Sequence, residues 1–214
     1  MGWFRNVHKS DNAYTHPTMI FDIMPHAGAS QIHPHVQGFI GKSHYLGKMG
    51  KLERVISLYR NQTKRHYLQD YINVHIALGL GLRYRTASVI VPLDSEKDNE
   101  FVISGTSNLR DWTRLLYLVH RTYIEELKVY CFSTGVAWPT SILWKNPDSY
   151  SILKQRIKSF HTVGSLMLAK IAARGNCQSI ENDISALELF VMNHLSTDPY
   201  RTIEALKKTI RKYG

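Results

Sequence analysis

A chain of 214 residues with 43% hydrophobic content can bury one good core or two small ones. No run approaches the ~20 apolar residues of a membrane span, and the opening "MGWFRNVHKSDN" has no apolar signal core, so neither a membrane anchor nor secretion is expected. The formal charge of +10 suits an anionic partner, but there is no dense Lys/Arg block with interleaved aromatics, so nucleic acid is not the expected one.

In chain order, residues 1–26 read as polar and irregular, with Pro17 and Pro25 as breakers. "HVQGFI" is a strand candidate that opens the folded region. Between 50 and 78, Leu52, Val55, Ile56 and Tyr59, then Tyr67, Tyr71 and Val74, fall at helical spacing and predict one long or broken helix. "GLGLRY" at 79–84 holds G-x-G without a third glycine or a preceding strand, so it is not a dinucleotide loop. "ASVIVPL" and "EFVIS" are β-branched runs around the turn-like "DSEKDN", a strand–loop–strand unit. Asn108 or Asp111 can cap a helix carrying Trp112, Leu115, Leu116, Val119 and Tyr123, on which Arg121 and Glu125 form an (i, i+4) pair.

"VYCFST" predicts a further strand, ended by Gly135 and Pro139, with Trp138 read as a core or interface residue rather than a stacking platform. Residues 142–172 are ambiguous. Two helices close the chain: one from Ser179 with Ile184, Leu187 and Phe190 inward, the other marked by Asp198-Pro199, a cap followed by a first-turn proline. Lys207, Lys208, Arg211 and Lys212 read as a solvated face of that last helix. The order of elements predicts α+β. Cys131 and Cys177 are too few for a disulfide framework and neither lies in a CxxC pair, so a reducing, cytoplasmic setting is expected.

The segment that raises chemistry is "AGASQIHPHVQ", residues 27–37. On a strand, alternation puts His33, His35 and Gln37 on one face and Pro34 and Val36 on the other, and Pro34 confines the piece to an edge or a strand end. Ala27, Gly28, Ala29 and Ser30 lack bulk, so a ligand can approach the backbone, where N–H groups and the Ser30 hydroxyl would bind phosphate oxygens. A neutral imidazole beside such a pocket can attack phosphorus, splitting one displacement into two, and Gln37 can donate to the charge that builds. Metal binding needs three or four ligands, and this strand offers two. On spacing alone a site and a structural strand both stay open.

"GASQIHPHVQ" resembles the active-site segment of the galactose-1-phosphate uridylyltransferase family in the histidine-triad superfamily: Gly, small, Ser, two variable residues, then His-Pro-His-x-Gln. The resemblance implies a histidine-triad-like antiparallel sheet with flanking helices, and nucleotidyl transfer through a covalent intermediate on His35. It implies that the Pro34 carbonyl orients His35, that Gly28, Ala29, Ser30 and Gln37 meet the phosphates, and that His33 is a zinc ligand. Asp22, in "MIFDIM", falls near a phosphate-contacting Asn of the family; an acid there repels phosphate. Downstream, only the order and character of elements are similar. Residues 1–48 are thereby expected to be the end of a first module whose N-terminal part is lacking, and 49–214 a second, degenerate module. In that module only His161 survives of a His-x-His pair. The other zinc ligands are not found in this chain. The expected partners are a nucleoside-diphosphate sugar, a sugar 1-phosphate and either a second copy or a complementary chain. The alternative expectation is a catalytically inactive basic scaffold or binding subunit.

Overall fold

The structure is a computed structural model and describes residues 2–23, 35–45, 47–95, 98–105, 109–138, 143, 167–173 and 198–214, with 47–48 and 167–173 described by backbone alone. The chain forms α1 (Gly2–Ser10), β1 (Tyr14–Ile23), β2 (Gln37–Lys42), α2 (Gly47–Thr63) and α3 (Tyr67–Ala77). There follow β3 (Gly81–Tyr84), β4 (Ala87–Ile90), β5 (Phe101–Gly105), α4 (Leu109–Thr122) with a π-helical turn (Tyr123–Leu127), β6 (Phe132–Ala137), β7 (Met167–Ala173) and a last helix, α5 (Pro199–Tyr213). The strands make one seven-stranded sheet in the order β2-β1-β6-β7-β5-β4-β3. All its pairings are antiparallel. The expected α+β class and antiparallel sheet with flanking helices are therefore present, and the ladder continues from β2 through β1 onto β6.

Two expectations need correction, and two stretches without an expected element contain a strand. Residues 2–23, within the stretch expected to be irregular, are regular: α1 buries Phe4, and β1 runs straight through Pro17. "GLGLRY" contains a strand, β3, whose Gly81 lies against Ile76 of α3. Gly135 does not end β6, which continues to Ala137. The ambiguous stretch 142–172 contributes β7, the strand joining the two halves of the sheet. In each case a partner strand or helix, rather than local propensity, decides the conformation.

Pro17 shows how the sheet accommodates a residue without an N–H. The Trp138 N–H donates to the Pro17 carbonyl at 3.0 Å, but Pro17 cannot return the bond. The Trp138 carbonyl instead accepts from the buried Tyr45 hydroxyl at 2.6 Å. Replacing Tyr45 by Phe removes the described partner of that carbonyl and is expected to cost about 1–3 kcal/mol in urea unfolding. A loss near zero would remove this role from Tyr45.

The main core lies between one sheet face and the α4–α5 layer. Val89, Phe101, Ile103, Phe132 and Val136 pack there against Trp112, Leu115, Val119, Ile203 and Leu206. Trp138 is a core residue, its ring 5.2 Å from that of Trp112. Asp111 is not a cap: it sits buried in the first turn of α4, accepting from the Thr86 hydroxyl at 2.8 Å. Asp198 is one, accepting from the Tyr200 N–H at 2.9 Å with Pro199 in the first turn. Arg121 pairs with Glu125 as the spacing predicts, and Lys207 and Lys212 meet Glu204 and Glu125. A second, smaller cluster (Tyr45, Ile56, Leu68 and Ala137) seats α2 and α3 on one end of the opposite face. Cys131, fully buried at the foot of β6, is disulfide-bonded, which the expectation of a reducing setting did not foresee.

His120 of α4 lies between Phe21 and Phe132, with its Nε2 3.1 Å from the Thr134 hydroxyl. Burial pushes its pKa down to about 4. The unfolded chain, with an ordinary histidine near 6.5, then takes up a proton that the folded chain refuses. Stability is therefore complete above pH ~6.5 and falls as pH drops towards 4, by up to about 3 kcal/mol from this group. His16, also brought down to about 4 by burial and by His44, adds in the same direction. The difference in unfolding free energy between pH 7 and 4.5 should shrink in His120→Phe; an unchanged difference would exclude His120 as a contributor.

Candidate functional site

Alternation along β1 and β6 sorts their residues into two sets. Met19, Phe21 and Ile23 stand level with Val136, Thr134 and Phe132 on the core face. Ile20 and Asp22 stand level with Gly135 and Ser133 on the other. On β2, Gln37 pairs with Ile20 and Phe39 with Thr18, so both share this second face. His35 immediately precedes β2, and continuing the register by two residues puts it level with Asp22. The second face thus gathers, at the β2 edge of the sheet, His35, Gln37, Asp22 and Ser133 around Ile20 and Gly135. Gln37 is exposed, and His35, Asp22, Ser133, Ile20 and Gly135 are half-buried. Helices α2 and α3 meet this face at Ala137, and α3 meets it again at Gly81 and Ile90 towards the far edge of the sheet.

The nitrogen of the Gln37 amide lies 3.4 Å from His35 Nε2. With the amide as donor, Nε2 keeps its lone pair and the ring proton sits on Nδ1, the tautomer a nucleophile needs; the amide orientation is an assignment from this contact. β2 is one of the two edge strands of the sheet. Gly28, Ala29, Ser30, His33 and Pro34 lie outside the described residues, as do His26, Trp144, His161 and the helix predicted from Ser179. The predicted residues brought together are therefore His35, Gln37 and Asp22. Among the described residues no three His, Cys, Asp or Glu converge as metal ligands, so no fit to zinc is found in them.

Ser133 and Gly135 join the site without having been singled out. The alternation of "CFSTGVA" could have placed them on one face, but nothing in the sequence says that this face adjoins β1 and β2.

No protein-family model and no curated protein matches the sequence. Solved structures do match in fold. A uridylyltransferase superposes with a TM-score of 0.70 at 13% identity, covering 98% of this chain and 65% of that one. An ADP-glucose phosphorylase from Arabidopsis thaliana, solved with bound ADP-glucose, gives a TM-score of 0.63 at 11% identity, covering 97% and 63%. A GalT-like protein from the same plant gives 0.63 at 9% identity, covering 97% and 65%. The chain thus has the fold of these proteins over nearly its whole length, and spans slightly less than two thirds of theirs. No membrane-length apolar helix occurs among the described residues.

Proposed function

We propose that this protein transfers a nucleotidyl group from a nucleoside-diphosphate sugar to a sugar 1-phosphate or to phosphate, through a covalent nucleotidyl-histidine on His35. The observation that carries this reading is the contact of His35 Nε2 with Gln37 at the open sheet edge, within a chain whose fold matches a uridylyltransferase and an ADP-glucose phosphorylase. Neutral His35 would attack the α-phosphorus: a P–N bond forms, the P–O bond to the β-phosphate breaks, and sugar 1-phosphate leaves. An oxygen of the second sugar phosphate, or of phosphate, then attacks the same phosphorus and releases neutral His35. Gln37 and Ser30 would donate to the phosphate oxygens as charge builds, with Gly28 and Ala29 allowing close backbone approach and the Pro34 carbonyl holding the ring by its Nδ1 proton.

Asp22 would not meet the phosphate as a carboxylate; at its place level with His35 it suits the hydroxyls of the sugar. Zinc held through His33 is an expectation of the motif alone, and no step is routed through it. A cytoplasmic site of action, and completion of the site by a second copy or a complementary chain, belong to the same proposal. The test is intact-mass spectrometry of the protein after incubation with UDP-glucose and with ADP-glucose. An acid-labile adduct of one nucleoside monophosphate supports the reading and names the base. A folded protein that takes up neither would favour the catalytically inactive basic scaffold.

A further inference from the structure

Glycine within a strand weakens it, and usually some neighbour approaches too closely for a side chain. The described strand glycines mostly follow that rule. A Cβ on Gly105 would stand 2.7 Å from Trp112 Cδ1, one on Gly81 2.8 Å from Ile90 Cγ2, and one on Gly41 2.3 Å from the His44 carbonyl oxygen. On Gly38 it would touch Phe4 and Trp3 at 3.4 Å. Gly135 is different: in the middle of β6, a Cβ there meets none of the described residues within 4 Å. Its φ does not lie in the left-handed region either. Neither the backbone nor packing against the described residues explains this glycine.

Its position does suggest a reason. Gly135 lies level with Ile20, and Ile20 with Gln37, so one row across three strands runs from the Gln37 amide to the bare backbone of Gly135. Two strand spacings separate the ends, roughly 10 Å. The polar groups flank one side of this row, with Asp22 and Ser133 one pleat on. The exposed ring of Phe39 flanks the other.

We infer that the floor of the site at Gly135 seats the ring of a phosphate ester, lying flat on the sheet against Ile20 with its phosphate directed to Gln37 and His35. This deepens the proposed function and rests on it for the position of the phosphate. A side chain at Gly135 would fill the seat from below without disturbing the fold, because the space above it is empty of the described residues. The ligand class is a ring-bearing monoester such as a nucleoside monophosphate or a hexose 1-phosphate, in contrast to inorganic phosphate, which needs no seat.

The experiment compares wild type with Gly135→Val in titration calorimetry against UMP, AMP, glucose 1-phosphate and inorganic phosphate, with thermal unfolding alongside. The expected result is a Tm no lower than wild type, at least tenfold weaker binding of the ring-bearing ester that wild type takes, and less than twofold change for inorganic phosphate. Unchanged binding of that ester overturns the seat, and so does an equal loss for inorganic phosphate, which would mean general damage. A wild type that binds no ring-bearing ester also overturns it. Should Gly135→Val unfold, Gly135→Ala, which adds only the Cβ, carries the same comparison. The nucleophile fails separately: ester binding that is lost in Gly135→Val, together with no covalent adduct in wild type, would keep the seat and remove His35 as the attacking group.

Discussion

Replacing His35 by alanine is expected to abolish the nucleotidyl adduct and to lower transfer by roughly a thousandfold or more, the scale seen when a nucleophile is removed. Gln37 has no nucleophilic lone pair on its amide nitrogen, a carboxylate such as Asp22 would meet an anionic phosphate, and the Ser133 hydroxyl is a far weaker nucleophile at neutral pH than an imidazole. The substitution should leave the fold intact, because His35 is half-buried at a strand entrance and carries no core packing. Gln37→Ala is a milder case, with adduct formation retained but slower by about 10²–10³, the range for one lost oxyanion donor. The measurement is single-turnover adduct formation by intact mass, with a Tm for each variant. An adduct of undiminished yield in His35→Ala would place the chemistry on another residue.

The largest expected effect on stability is at Trp112. Its ring is fully buried, lies against Trp138, and presses onto the bare backbone of Gly105, where a Cβ would stand 2.7 Å from its Cδ1. Trp112→Ala empties a volume that rigid strands on one side and α5 on the other cannot close, and should cost about 3–5 kcal/mol. The indole N–H groups of Trp112 and Trp138 have no hydrogen-bond partner among the described residues. Trp112→Phe therefore removes a buried unsatisfied donor along with the lost volume, and the former offsets part of the latter. The phenylalanine variant should accordingly lose much less than the alanine variant in urea unfolding followed by circular dichroism. Equal losses would mean that the indole nitrogen is satisfied by a group outside the described residues.

Local pattern was enough where an element is amphipathic or carries its own end signals. Helix α4 follows from the spacing of Trp112, Leu115 and Val119, and α5 from Asp198-Pro199, whose cap bond is made by the chain itself. The strands β4 and β5 follow from β-branched runs between turn residues. Likewise the chemistry of "HPHVQ" is written into the chain, because strand alternation fixes that His35 and Gln37 share a face wherever the strand lies.

What the tertiary structure decided is everything set by a distant partner. Pro17 reads as a breaker until Tyr45, 28 residues on, donates to the carbonyl that the proline cannot serve. Residues 167–173 have no strand signature of their own and become the joining strand because β5 and β6 both offer open ladders to them. Gly135 reads as a terminator until β1 and β7 pair on either side of it. The same pairing brings Ser133 and Gly135 to the face of His35, about a hundred residues earlier in the chain. Spacing along a sequence fixes which side chains share a face, but hydrogen-bond pairing between remote strands fixes which faces meet, and only the folded sheet contains that information.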